Sequence, residues 1–397
     1  MTISPPSKVK SPPGSSVRVL ASGVDSLVLS IDVYWHKKGF LNYLKRRKAE
    51  AQLKGKEVQG AIKDKDNEII WPFTVKPHGS RGYEWILSSK EYTLLVGNWH
   101  APKTKPSILA EIRSETLWLH GVEQAVKHLF LILKSTGASF RFMKLSRVDL
   151  CMDLLLPEKI WNQDILGFKV TRATRASQYY THKALEGISI GKGSIQARIY
   201  DKELEIKQQS KKFWLYNIWG ISKAPRDHKI IRVEFQLRRE VIKELGLDTS
   251  DDLFEKMGDL WAYCTEKWLK FQTRPGKHHT QRKTLAWWET VQQGFKGDQE
   301  SNSLVRTKSL RIDMDQHISQ IMGNLVSLQA LRREGSKDAR EENISIYTMI
   351  NGFIDEAQLR GMDYWDLDEA VMTRRAKFHH HIEQKKTKSG EKGRCRD

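Results

Sequence analysis

The sequence predicts an α+β fold: two pseudo-repeated antiparallel sheets with helices packed on one face. Three observations predict it. Apolar and polar residues alternate in two separate sets of short segments, and a helical apolar period closes each set. Each set also carries one acid, Glu111 in SILAEIR or Glu234 in IIRVEFQ, inside an otherwise apolar strand. The face without helices would form a basic saddle, and a helical C-terminal extension would follow.

Residues 1–24 hold Pro, Ser and Lys with no apolar period, which predicts a disordered basic arm. Residues 25–145 form the first α+β half, with strands SLVLSIDVYW, YEWILSSKEYTLLVG and SILAEIRSETLWL. Its helix shows Val122, Ala125, Val126, Leu129, Ile132 and Leu133 at helical spacing. Residues 146–292 form the second half, with strands SRVDLCMDLLL, GISIGKGSIQARIYDKE and IIRVEFQLR, then helical stretches at 239–246 and 251–272. KQQSKKFWLYNIWGISKAPRDHK is read as a basic, aromatic insertion before the last strand. Residues 293–385 carry helical periods, including Ile318, Ile321, Met322, Leu325 and Leu328, and 386–397 read as a solvated basic tail.

Charge narrows the partner. The 397 residues include 67 Lys and Arg against 48 Asp and Glu, a formal charge of +19. Such an excess favours a polyanion, because each neutralised phosphate releases a condensed counterion. No apolar run approaches the ~18 residues of a spanning helix and no signal peptide opens the chain, so nucleic acid is favoured over a membrane. Cys151, Cys264 and Cys395 are far apart, which excludes paired-cysteine zinc patterns and a disulfide scaffold and fits a reducing cytoplasm.

Strand alternation supplies the candidate site. Side chains at i, i+2 and i+4 share a face. Arg147, Asp149, Cys151 and Asp153 therefore lie together, opposite Val148, Leu150 and Met152. Gln196, Arg198, Tyr200 and Lys202 form a second polar row, and Arg232, Glu234 and Gln236 a third. One such strand would be an ordinary solvent face. Three with the same mixture of acids, bases and a tyrosine predict a site.

Asp149, Asp153 and Glu234 offer hard oxygen ligands suited to Mg²⁺ or Mn²⁺, which could polarise a phosphate. Tyr200 would be the nucleophile, helped towards phenolate by Arg198 and Lys202, since a free phenol has a pKa of about 10. Nucleic-acid contacts are expected from Arg147, Lys192, Arg232, Lys211 and Lys212. The basic segment from Arg274 through Lys277, Arg282 and Lys283 to Trp287 and Trp288 would add more.

RVDLCMD, then SIGKGSIQARIYDKELE and IIRVEFQLR, resemble the replication initiation factor family. That family includes trans-acting Rep initiators of rolling-circle plasmids, filamentous-phage initiators and some mobile-element relaxases. The positions that carry the likeness are Arg147, Asp149 and Asp153; Gly191, Arg198, Tyr200, Lys202 and Glu205; Arg232 and Glu234; and the late pair Trp287 and Trp288. The resemblance spans roughly residues 25–292. It implies a DNA-nicking tyrosine that leaves a 5′-phosphotyrosyl link and a free 3′-hydroxyl, with a divalent metal, a host helicase and often a homodimer. A relaxase with the same chemistry and a non-catalytic DNA-binding regulator of the same fold are the rival readings.

Other signals rank lower. His379, His380 and His381 lie in a polar helical segment and read as a solvated face. GISIGKG lacks the phosphate-loop pattern. Tyr179 and Tyr180 are rival nucleophiles but also fit a plain strand, and Trp214 and Trp219 could stack on bases or anchor a core.

Overall fold

The computed structural model describes residues 17–36, 38–64, 66–99, 105–162, 164–182, 184–273, 282–295, 304, 306, 321–325 and 346–359. Contacts divide the chain into two units, Met1–Leu310 and Arg311–Asp397. In the second unit the described residues include a helix at Ile346–Leu359. The expected basic tail and the triple histidine lie outside the described residues.

Strand β1 (Arg18–Trp35) opens the first unit and leads through helix α1 (Gly39–Lys54) into a meander. The meander runs β2 (Val58–Lys63), β3 (Ile69–Val75), β4 (Trp85–Ser88), β5 (Tyr92–Val96) and β6 (Ile108–Ile112), and β6 returns to pair with β1. Helices α2 (Ser114–His120) and α3 (Val122–Lys134) then lead to β7 (Ala138–Pro157), α4 (Glu158–Trp161) and β8 (Lys169–Thr171). A second meander follows: β9 (Ala176–Thr181), β10 (Ala184–Ile190), β11 (Ile195–Asp201) and β12 (His228–Arg238). Between β11 and β12 lie α5 (Lys202–Glu205), a π-helical turn at Ile206–Ser210 and α6 (Leu215–Trp219). The unit continues with α7 (Arg239–Glu244), α8 (Ser250–Ala262), β13 (Leu269–Phe271) and α9 (Ala286–Gln292).

The two expected sheets are one. Its eleven strands, all antiparallel, run β2-β3-β4-β5-β6-β1-β7-β12-β11-β10-β9. The join is the β1–β7 ladder, which extends from Arg18 opposite Leu155 to Trp35 opposite Ala138. Two separate sheets would each leave a long apolar edge of unpaired N–H and C=O groups, and this pairing removes both. The ladder also corrects the N-terminal arm, because Arg18–Val24 is strand and Val17 is buried. Two further departures are local. Helix α1 and the β2–β3 hairpin were not anticipated, and the helical stretch expected to reach 272 instead passes through a π-helical segment, Tyr263–Trp268, into β13.

One face of the sheet carries the main core. Val148, Leu150 and Met152 of β7 and Val233, Phe235 and Leu237 of β12 share it with Leu129 and Leu133 of α3 and Trp261 of α8. Helices were expected on that face alone. A second cluster, however, sits on the polar side, where Trp118 of α2 and Leu215 and Trp219 of α6 pack with Leu20, Ala21 and Cys151. This smaller cover decides which polar residues stay accessible.

Candidate active site

Strands β7, β12 and β11 are neighbours, so their polar rows meet. Asp149 lies opposite Gln236 and Asp153 opposite Arg232 on β7 and β12. Glu234 lies opposite Arg198 and Arg232 opposite Tyr200 on β12 and β11. Directly opposed residues project to one face, and the expected face is thus assembled. Its members divide into a sealed part and an open part.

The sealed part lies under α2 and α6. Arg232 gives Nε to Asp153 Oδ1 at 2.6 Å and Nη2 to Oδ2 at 2.7 Å, while Nη1 reaches Asp25 Oδ1 at 2.6 Å. Trp219 Nε1 also donates to Asp153 Oδ2 at 2.9 Å. Asp153 and Arg232 have no exposed surface. Arg232 therefore cannot be the DNA contact expected of it, and the lone pairs of Asp153 are committed to three donors. This is a buried ion pair whose bonds satisfy both partners.

Asp25 is a member of this network that sequence reasoning missed. It sits at an irregularity in the β1–β7 ladder, between Val24 and Ser26. It accepts from Ser114 Oγ at 2.8 Å and pairs with Lys212 at 3.3 Å. Burial opposes its charge, but Arg232, Lys212 and Lys202 outweigh that and hold the carboxyl well below the usual range. The signal was available in GVDSLVLS, which has a lone acid in an apolar strand like those holding Glu111 and Glu234.

The open part is reached from solvent through Tyr200 and Arg198, while Glu234 and Lys202 behind them are buried. The Tyr200 hydroxyl donates to Glu234 Oε2 at 3.0 Å, and Arg198 bonds the other carboxylate oxygen. Tyr200 is half-buried, the Arg198 side chain is 42% exposed, and Arg198 Nε is buried without a partner. Lys202 begins α5, where the Asp201 carboxylate accepts from Leu204 N at 3.0 Å. Its Nζ bonds Glu205 at 2.6 Å and stands 5.5 Å from the centre of the Tyr200 ring.

These contacts shift the proton affinities of both groups. Burial, with repulsion from Asp25 and Asp149, raises the Glu234 carboxyl against the pull of Arg198 and Arg232. Burial and the Glu234 charge push the Tyr200 phenol well above its ordinary value. The hydroxyl and the carboxyl thus meet directly, and each holds its proton more tightly than the free group does. A proton can pass between them without a water.

The three acids do not form a cation site as they stand. Asp149 is held by Arg147, with Nε to Oδ1 at 2.8 Å; Asp153 by Arg232; and Glu234 by Arg198 and Tyr200. Among the described residues no group of three or more His, Cys, Asp or Glu side chains is placed to hold a metal ion. Hard cations need several free oxygens at one point, and here guanidinium groups and the Tyr200 hydroxyl occupy those oxygens.

The expected nucleic-acid contacts fall in different places. Lys192, Lys211 and Lys283 are exposed, Arg147 and Arg282 are half-buried, and Lys212 is turned to Asp25. Lys192 borders a cleft of about 530 Å³ with Arg172 and Arg175, two residues not anticipated. Arg147 borders another, of about 800 Å³, with Arg238 and Arg239. Arg274 and Lys277 lie outside the described residues. Trp287 and Trp288 are core residues, not a DNA surface. Both pack against Phe271 with tilted rings, and Trp288 Nε1 donates to Thr265 O at 3.0 Å. Trp219 is likewise a core anchor, part of the cover over the sealed ion pair.

No family model matches the chain, and no curated protein matches it. Among solved structures it is similar to a rolling circle replication initiator protein from Geobacillus stearothermophilus, at 12% identity and a TM-score of 0.38. The alignment covers 72% of this chain and 99% of that one. At that identity and score the likeness says nothing about activity. No described helix is long and apolar enough to cross a membrane.

Proposed function

We propose that this chain is a rolling-circle replication initiator that breaks and rejoins one DNA strand through Tyr200. The observation that carries the reading is the hydrogen bond from the Tyr200 hydroxyl to Glu234, beside a partly exposed arginine with an unused donor. In this reading Glu234 is the general base and Arg198 the phosphate anchor. Asp149 and Asp153 then serve to hold Arg147 and Arg232, and no step passes through a metal.

The chemistry balances as a transesterification. The Tyr200 oxygen bonds to phosphorus as its proton passes to Glu234, and the bond from phosphorus to the 3′-oxygen breaks. The departing 3′-oxygen takes up a proton from solvent water, leaving a 5′-phosphotyrosine and a free 3′-hydroxyl. Attack by a 3′-hydroxyl on that link reverses the step and reseals a strand. Turning Arg198 from Glu234 to the phosphate removes a cation that lowers the Glu234 pKa, so substrate binding itself strengthens the base.

The charge of +19 and the rim of Lys192, Arg172, Arg175, Arg147, Arg238 and Arg239 support DNA as the substrate. The free 3′-hydroxyl would prime a polymerase and a host helicase would extend the opened duplex. A second copy of the chain would bring a second Tyr200 to end the round. The test is nicking of supercoiled DNA carrying the gene's own flanking sequence, in Mg²⁺ or Mn²⁺, by the full chain and by Tyr200→Phe. The wild type should give open circles and the variant none. Equal nicking by Tyr200→Phe would end the reading.

A further inference from the structure

The row that holds Tyr200 extends past it to the edge of the sheet. Tyr200 lies opposite Gly187 on β10, and Gly187 lies opposite Tyr179 on the edge strand β9. Two aromatic rings thus project to one face two strands apart, about 10 Å at ordinary strand spacing. Between them stands a residue with no side chain. A Cβ at Gly187 would come within 3.0 Å of the Tyr200 Cβ. The gap opens into a cleft of about 470 Å³ between β9–β11 and the α5 turn. Gln208 and Gln209 border the cleft, as does Arg198, and both glutamines are exposed. Tyr179 is 55% exposed, with its neighbour Tyr180 opposite the buried Leu185.

We propose that this cleft is a nucleobase subsite, taking one unpaired base of single-stranded DNA next to the phosphate at Tyr200. The inference rests on the reading of the Tyr200 site as one that acts on DNA. Tyr179 is the stacking platform, Gly187 leaves the space for a planar ring, and the amides of Gln208 and Gln209 face its polar edge. Arg198 connects the subsite to the phosphate. A base held there would fix which backbone phosphate meets the tyrosine, so these residues would select the nicking site. Tyr179 then contributes its ring and not its hydroxyl.

The test is photocrosslinking of the full chain to a short oligothymidylate in which 5-iododeoxyuridine replaces thymidine, with the adduct mapped by peptide mass spectrometry. Anisotropy of the same oligonucleotide is read in parallel. The expected adduct is on Tyr179, in the wild type and equally in Tyr200→Phe. That second arm separates this inference from the nicking reading, because Tyr200→Phe abolishes any phosphotyrosine but leaves the stacked base. Tyr179→Ala should lose the adduct and weaken binding roughly tenfold, the scale of one lost base–aromatic stack. Tyr179→Phe should retain wild-type affinity. Adducts confined to other aromatics, such as Phe213 or Trp214, would overturn the proposal. So would a Tyr179→Phe variant as impaired as Tyr179→Ala, which would mean that the hydroxyl matters.

Discussion

The Tyr200 hydroxyl donates to Glu234 across the β11–β12 ladder at 3.0 Å, and no metal ligand is needed to explain why the two side chains meet. Glu234→Gln keeps the shape of the side chain and removes its basicity. Formation of the covalent DNA adduct should fall by a factor on the order of 10² to 10⁴, the usual worth of a positioned base. DNA affinity in a filter-binding assay should be little changed. Wild-type rates in this variant would remove Glu234 from the chemistry.

A pH profile follows from the same pair. Glu234 must be ionised to accept the phenolic proton, and burial with nearby carboxylates raises its pKa. The adduct rate should therefore decline as pH falls through a midpoint above the ordinary glutamate range. Arg198 acts in the opposite direction, so Arg198→Gln should move that midpoint to higher pH as well as slow the reaction. A midpoint that stays in place or moves down would assign the titration to another group.

The sealed ion network should govern stability and leave the chemistry to others. Asp153→Asn leaves Arg232 short of a buried counter-charge, a loss of about 3–5 kcal/mol in urea unfolding. Asp25 adds an acid-dependent term. Its folded-state pKa lies below the unfolded value, so its charge stabilises the native state above about pH 4 and that contribution fades as pH falls. Asp25→Asn should accordingly flatten the acid limb of the stability curve.

DNA contacts and core tryptophans should separate cleanly in binding experiments. Lys192→Ala and Lys283→Ala should each reduce the salt dependence of DNA binding by about one counterion. Trp288→Ala should leave that slope unchanged and cost about 3–5 kcal/mol of stability, as for other buried aromatics. A Trp288→Ala protein of normal stability but weakened DNA binding would reverse the assignment made from its burial.

Alternation along β7, β11 and β12 was enough to read the polar face, because a strand permits only two side-chain directions and the apolar set was unbroken. What alternation does not carry is the neighbour across the ladder. Asp153 and Glu234 look alike in sequence, yet the registers place the first against Arg232 and the second against Arg198 and Tyr200. Both carboxylates are buried, but Asp153 lies under Trp219, whereas Glu234 is bonded to Arg198, whose side chain is 42% exposed. Joining the halves into one sheet depended on the β1–β7 pairing, a contact between segments too far apart for local periodicity to report. Trp287 and Trp288 were misplaced because a basic flank resembles a binding surface whether its aromatics point in or out.

The central claim is that one phenolic oxygen becomes esterified to DNA. It is tested most directly by trapping the protein on a single-stranded oligonucleotide from the nicked region, digesting with trypsin and nuclease, and sequencing the modified peptide. The account predicts a nucleotide attached to Tyr200 in the tryptic peptide 199–202. A nucleotide on Tyr179, Tyr180 or any other residue would contradict it.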